Sequence, residues 1–207
     1  MSTEPTFASI GPMPFESLLT ELASKSPTPG GGAAAGLVGA SAAALAGMVV
    51  AYSIGRKSLA EHRTFLEDAG RRLARAREIF LVLADEDAAS YARLNALMRL
   101  EEDHPDRLAG WESAVRQAIA PPRAMLASAN DLLRLCEELI GRTNPHLKSD
   151  LAVAAVQAEA AARSAAWNVD INVPLLPDPD RARIPEETNA AVLDAKARAA
   201  RVEAGCV

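Results

Sequence analysis

The chain has 207 residues, a mass of 21.8 kDa and a formal net charge of −5, with 49% apolar and 24% charged residues. This composition excludes global disorder, because so many apolar residues bury enough surface to form a core. The length predicts one domain spanning residues 1–207. A net negative charge without a dominant basic stripe argues against nucleic acid as a partner.

Cysteine content and the amino terminus indicate where the protein works. Cys136 and Cys206 are far apart and belong to no Cys-x-x-Cys motif, which is typical of a reducing compartment. Residues 1–11 have neither the basic region nor the apolar core of a secretory signal. We therefore expect a cytoplasmic protein.

The first two predicted helices are separated by a proline- and glycine-rich break. The first covers Phe15 to Ser24, and the second covers about Ala33 to Ser53. No charged residue lies between Ser26 and Gly55, so this stretch is long enough to span a bilayer. A membrane-embedded subunit is thus one reading of residues 33–52. Alanine and glycine give little transfer energy, however, so we expect no membrane and a helix buried between neighbours.

The rest of the chain is also predicted to be helical. A long third helix covers about His62 to Leu100, with apolar residues recurring every three or four positions. Further helices are predicted at 105–119, 123–140, 149–167 and 186–203, with a break at Pro121-Pro122, Ser149 as an N-cap and a polar loop at 178–183. The only stretch of strand type is short, at residues 168–173. The predicted fold is an all-α bundle of about seven helices.

Asp87 interrupts the apolar stripe of the third helix. Leu66, Leu73, Phe80, Asp87 and Leu94 recur every seven residues, so Asp87 lies among core positions. A buried carboxylate is costly unless it is paired or lines a cavity. Asp87 is therefore either a functional carboxylate or a residue at the stripe edge that is exposed or paired with an arginine. Asp85 lies off this face and is expected to be solvated.

Three consecutive glycines, Gly30, Gly31 and Gly32, precede the second helix. They permit close backbone approach and leave amide donors at a helix N-terminus, which can hold an anionic or carbonyl-bearing ligand. The alternative is a plain hinge before a helix.

Two further polar clusters stand out. Asn144, Ser149 and Asp150 lie at one helix boundary, and Asn168 and Asn172 lie at the next. Each cluster either binds a ligand or simply caps a helix. The three histidines show no metal-ligand spacing, so no metal site is expected.

Taken together, these motifs resemble the formiminotransferase-cyclodeaminase C-terminal family, which includes stand-alone methenyltetrahydrofolate cyclohydrolases. The resemblance covers about residues 15–176. Two departures concern loops: no proline follows Asn95-Ala96, and Arg142-Thr143 replaces a glycine-containing step before Asn144. The matching segments are Pro27–Ala33, Leu45–Val49, Gly55–Lys57, Asp85–Tyr91, Asn144-Pro145, Ser149–Ala155 and Asn168–Asn172.

The resemblance implies an all-α subunit, a homodimer, a tetrahydrofolate derivative as substrate and no permanently bound cofactor. The favoured activity is hydrolysis of 5,10-methenyltetrahydrofolate to 10-formyltetrahydrofolate, because no transferase domain is attached. The alternatives are a 5-formiminotetrahydrofolate cyclodeaminase, which is a lyase releasing ammonia, and a non-catalytic helical dimerisation module.

The resemblance also suggests roles for the residues singled out above. Asp87 is expected to act as an acid/base or electrostatic group, since a carboxylate in an apolar cleft can do both. Asp150, with Ser149, would hold the pterin or share the proton transfer. The remaining assignments are Gly30, Gly31 and Gly32 to the polar edge of the substrate, Lys57 to its glutamate tail, and Asn144, Asn168 and Asn172 to neutral hydrogen bonds.

Overall fold

The computed structural model describes residues 9–207, which form helices and turns without any strand. The all-α fold is therefore confirmed, and residues 168–173 are helical or turn rather than extended. The six α-helices are α1 (Phe15–Leu22), α2 (Gly31–Ala51), α3 (Arg63–Met98), α4 (Pro105–Leu139), α5 (Lys148–Asp170) and α6 (Asp180–Gly205). Short 3₁₀ turns cover Lys57–His62, Pro145–Leu147 and Val173–Leu175.

Helix α2 packs against α3 and α5, and its glycines set the register against α3. A Cβ on Gly39 would lie 2.5 Å from the Phe80 ring, and one on Gly36 would lie 2.8 Å from Ala84. Real side chains do not approach so closely, so both positions require glycine. The two helices run antiparallel in this contact. The next turn of α3, which contains Asp87, therefore lies against Gly32.

Helix α2 is also long and apolar enough to cross a membrane by length and composition alone. Just over half of its most apolar stretch is buried within the bundle. Its contacts with α3 and α5 make it a core element of the fold.

The predicted break at Pro121-Pro122 is wrong, and this reduces seven predicted helices to six. Helix α4 runs continuously through both prolines. A proline inside a helix removes a hydrogen bond and clashes with the preceding turn, at a cost of about 3 kcal/mol. Both prolines are buried, and α4 packs against α3, α5 and α6, so tertiary packing outweighs local propensity here.

Two helix starts also differ from the prediction. Ser149 is not an N-cap, because α5 begins at Lys148, and Asn144 caps the preceding 3₁₀ turn instead. Helix α6 begins at Asp180 rather than Glu186, so the predicted 178–183 loop is mostly helical. Ion pairs of Asp180 with Arg116 and Arg183 hold this additional turn.

The segment before α1 is fastened to α3 by Asp85. The Asp85 carboxylate accepts hydrogen bonds from Ser9 Oγ and from the Ile10 amide, the latter at 2.6 Å. Ile10 and Leu18 then pack against Ala33 of α2. The expectation that Asp85 is merely solvated is therefore wrong: it holds the amino-terminal segment over the α2–α3 contact.

Candidate functional site

The carboxylate of Asp87 lies directly against the N-terminal turn of α2. A Cβ built on Gly32 would overlap both carboxylate oxygens, so only glycine fits beneath Asp87. Among residues 9–207, no hydrogen bond or ion pair reaches either oxygen of this half-buried group. Burial raises the pKa of Asp87 to about 6. Of the alternatives for Asp87, this excludes pairing with an arginine of the described chain.

A cavity of about 290 Å³ opens beside this carboxylate. It brings together six of the predicted site residues: Gly30, Gly31, Gly32, Asp87, Asn168 and Asn172. They come from the start of α2, the middle of α3 and the end of α5, which meet at one end of the bundle.

The backbone amides at the start of α2 are available to a ligand. Gly30 is the N-cap residue and offers no side chain, so no capping group from residues 9–207 satisfies the first amides of the helix. Such amides donate hydrogen bonds and carry the positive end of the helix dipole. They therefore place hydrogen-bond donors on the cavity wall next to the Asp87 carboxylate.

The two asparagines at the end of α5 combine capping with exposure to the cavity. Asn168 Nδ2 donates to the Ser164 carbonyl at 2.8 Å, and Asn172 Nδ2 donates to the Asn168 carbonyl at 3.0 Å. These bonds fix both side chains. Within the described part of the chain, no donor reaches Asn168 Oδ1, which lies beside Gly31. Asn168 can therefore accept a hydrogen bond from a ligand.

The other four predicted residues, Lys57, Asn144, Ser149 and Asp150, lie at the opposite end of the bundle. Eighteen residues of α5 separate Asp150 from Asn168, which is about 27 Å along the helix. Asn144 Oδ1 accepts from the His146 amide, and Ser53 Oγ accepts from the Asn144 amide at 2.8 Å. Within one chain, this far-end cluster therefore does not meet Asp87.

Sequence reasoning missed Thr28 and Tyr91, which also line the cavity. Tyr91 is a large aromatic residue of α3, yet it is 38% exposed. Its position one helical turn after Asp87 was the signal that could have identified it. Its ring offers a flat surface against which an aromatic ligand can stack.

At this end of the all-α bundle, a carboxylate with a pKa of about 6 therefore lies beside the first backbone amides of α2 and the ring of Tyr91. The sequence profile of the formiminotransferase-cyclodeaminase family matches residues 14–190. The chain belongs to this family, as the resemblance predicted.

Named relatives point to two related activities. A methenyltetrahydrofolate cyclohydrolase of Methylorubrum extorquens is 32% identical over 168 residues, covering 79% of this chain and 81% of the relative. A formimidoyltransferase-cyclodeaminase of Sus scrofa is 32% identical over 198 residues, covering 91% of this chain and 36% of that longer protein. The crystal structure of a formiminotetrahydrofolate cyclodeaminase of Thermotoga maritima superposes with a TM-score of 0.85 at 26% identity, covering 94% of this chain and 96% of that one.

Proposed function

We propose that this protein is a folate one-carbon enzyme that hydrolyses 5,10-methenyltetrahydrofolate to 10-formyltetrahydrofolate, with Asp87 as the acid/base group. The observation that carries the proposal is the unpaired Asp87 carboxylate held against Gly32 at the cavity wall. The similarity to the Methylorubrum cyclohydrolase over 81% of its length supports the choice of substrate. The two unbonded cysteines are consistent with a cytoplasmic location.

The first chemical step is the attack of water on the cationic methenyl carbon between N5 and N10. The ionised Asp87 carboxylate accepts a proton from the attacking water, and its negative charge favours the cationic carbon beside it. With a pKa of about 6, Asp87 is mostly ionised at pH 7 and still exchanges protons readily. The product of this step is a neutral tetrahedral adduct.

The second step opens the ring. The bond between the tetrahedral carbon and N5 breaks while protonated Asp87 returns its proton to N5. The adduct hydroxyl loses its proton to solvent, which leaves the formyl group on N10. The α2 amides and Asn168 orient the bound ring through this sequence, and Tyr91 stacks on it.

The second candidate activity is the release of ammonia from 5-formiminotetrahydrofolate. The superposition on the Thermotoga cyclodeaminase over nearly both whole chains favours it. The same Asp87 would protonate the departing nitrogen after N10 attacks the formimino carbon. The Asp87 carboxylate, placed beside the one-carbon unit, can therefore act in either the hydrolysis or the release of ammonia.

We also propose that the protein works as a homodimer joined through α2 and α5. Helix α2 contains no charged residue, and the side chains on its face away from α3 are only partly covered by the rest of the chain. An uncharged face that is partly exposed can pack against a second protomer. The neighbouring face of α5 exposes a line of apolar side chains: Val153, Val156, Trp167 and Ile171. An apolar face of this length, about 30 Å, is typical of a subunit interface.

The symmetry of such a dimer bears on the far-end cluster of Lys57, Asn144, Ser149 and Asp150. A two-fold axis across the middle of α2 makes the two copies of this helix antiparallel. The far-end cluster of one protomer then lies beside the Asp87 cavity of its partner. In this arrangement both groups of predicted residues contribute to one site.

The two activities are separated by supplying each substrate to the same preparation. The proposal predicts faster loss of 5,10-methenyltetrahydrofolate absorbance than the spontaneous rate, with little ammonia from 5-formiminotetrahydrofolate. Ammonia release with the methenyl compound turning over only at its spontaneous rate would move the assignment to the cyclodeaminase. Turnover of neither compound by folded protein would leave the non-catalytic dimerisation module.

A further inference from the structure

A second and larger groove follows α3 away from the Asp87 cavity. It has a volume of about 690 Å³ and lies between α3, the segment held by Asp85, and the loop of residues 26–29. Pro27 and Thr28 line both this groove and the Asp87 cavity, so the two spaces adjoin. We propose that the groove binds the glutamate tail of the folate substrate, with Arg99 as its cation, an inference that rests on the function proposed above.

Within one protomer, the Asp87 cavity is too small for a whole folate molecule. A cavity of about 290 Å³ is at the lower limit of the pockets, about 300–1,000 Å³, that enclose drug-sized ligands. It can hold the reacting ring system of a folate but not the aryl and glutamate parts as well. The groove supplies the remaining volume directly next to it.

The floor of the groove suits the uncharged aryl group that precedes the tail. It is formed by alanines on one side of α3, at positions 88, 89, 92 and 96. Tyr91 lies on the neighbouring strip of the helix and lines the Asp87 cavity. A ligand leaving the cavity therefore passes an aromatic ring and then a smooth apolar surface.

Arg99 is the cation that lines the groove, and it lies at the far end from Asp87. Twelve residues of α3 separate the two, which is about 18 Å along the helix. Among residues 9–207, no ion pair involves Arg99. A guanidinium binds a carboxylate through parallel hydrogen bonds, so an unpaired arginine at this distance fits the end of an extended anionic ligand.

The two acidic residues that line the groove, Asp85 and Glu21, do not pair with Arg99. Asp85 already accepts hydrogen bonds from Ser9 and Ile10, which occupy its carboxylate oxygens. Glu21 lines the opposite wall and forms no ion pair with Arg99. Neither carboxylate neutralises Arg99, so its charge remains available to the ligand.

Equilibrium binding tests this inference without relying on turnover. The probes are tetrahydrofolate and tetrahydropteroate, which lacks the glutamate and ends in the aryl carboxylate, titrated calorimetrically against wild-type protein and four variants. Arg99→Ala is expected to weaken tetrahydrofolate binding about five- to tenfold and to leave tetrahydropteroate binding unchanged. Arg99→Lys keeps a point charge and should recover part of the loss.

Two further variants make the result specific. Arg93→Ala is the matched control, because Arg93 is exposed on α3 about 120° around the helix from Arg99. It should bind both probes as the wild type does. Lys57→Ala tests the other candidate for the tail: a loss of glutamate preference in that variant, and not in Arg99→Ala, would overturn the proposal.

The outcomes also separate this inference from the proposed function. Wild-type protein that prefers tetrahydrofolate through Arg99 supports the groove even if the methenyl compound is not hydrolysed. Equal binding of both probes to wild type and Arg99→Ala overturns the groove and leaves the folate assignment standing. Binding of neither probe overturns both.

Discussion

Replacement of Asp87 by asparagine should stabilise the protein at neutral pH while removing its activity. Burial raises the pKa of Asp87 from 3.8 to about 6, so the folded state holds this proton more tightly than the unfolded state does. Each pKa unit corresponds to 1.36 kcal/mol, so a shift of about two units amounts to about 3 kcal/mol. This contribution favours folding below about pH 4 and is lost as the pH rises through about 6. Asparagine cannot ionise and avoids the loss.

The assay is urea unfolding of wild type and Asp87→Asn between pH 3.5 and 8 at one protein concentration. The variant should gain up to about 3 kcal/mol in unfolding free energy at pH 7–8, and the difference should vanish near pH 3.5. Asp103→Asn, which makes the same change of side chain in an exposed turn, is the matched control. A variant less stable than wild type at pH 7, or a difference independent of pH, would refute the reasoning about burial.

Three further predictions concern the site and the interface. Gly32→Ala places a Cβ where the Asp87 carboxylate lies and should lower kcat/KM at least about 100-fold. Gly47→Ala is its control, because a Cβ at that position meets nothing closer than 4.0 Å. This control should keep its activity and gain about 0.5–1 kcal/mol of stability by thermal unfolding. Val156→Glu on the α5 face should convert the dimer to a monomer in sedimentation. Leu193→Glu, at a somewhat more exposed apolar position on α6, should not, and a monomeric wild type would contradict the proposed interface. The enzyme-dependent kcat/KM should rise with pH through about 6 as Asp87 ionises, and a profile flat between pH 5 and 8 would exclude Asp87 as the base.

Much of the fold could be predicted because helical periodicity is a local signal. The apolar stripe of α3 located that helix to within two residues at either end. The break at Pro121-Pro122 was mispredicted because the penalty for proline is also local, whereas the burial that outweighs it comes from α3, α5 and α6. The start of α6 at Asp180 likewise depends on a contact between distant segments, the ion pair of Asp180 with Arg116.

The site was predictable in its parts but not in its assembly. The heptad position of Asp87 and the three glycines each indicated a special role. Their contact depends on the glycine register between α2 and α3, in which Gly39 meets Phe80 and Gly36 meets Ala84. No sequence spacing shows that pairing. The 27 Å that separates Asp150 from Asn168, in contrast, follows from the predicted helix at 149–167, which places these two residues near its opposite ends.

The most direct test of the account follows 5,10-methenyltetrahydrofolate absorbance with wild type, Asp87→Asn and Asp103→Asn, each shown to be folded by circular dichroism. The account predicts clear acceleration over the spontaneous rate by wild type and by Asp103→Asn, and none by Asp87→Asn. Folded Asp87→Asn that turns over as fast as wild type would show that the carboxylate against Gly32 is not the catalytic group.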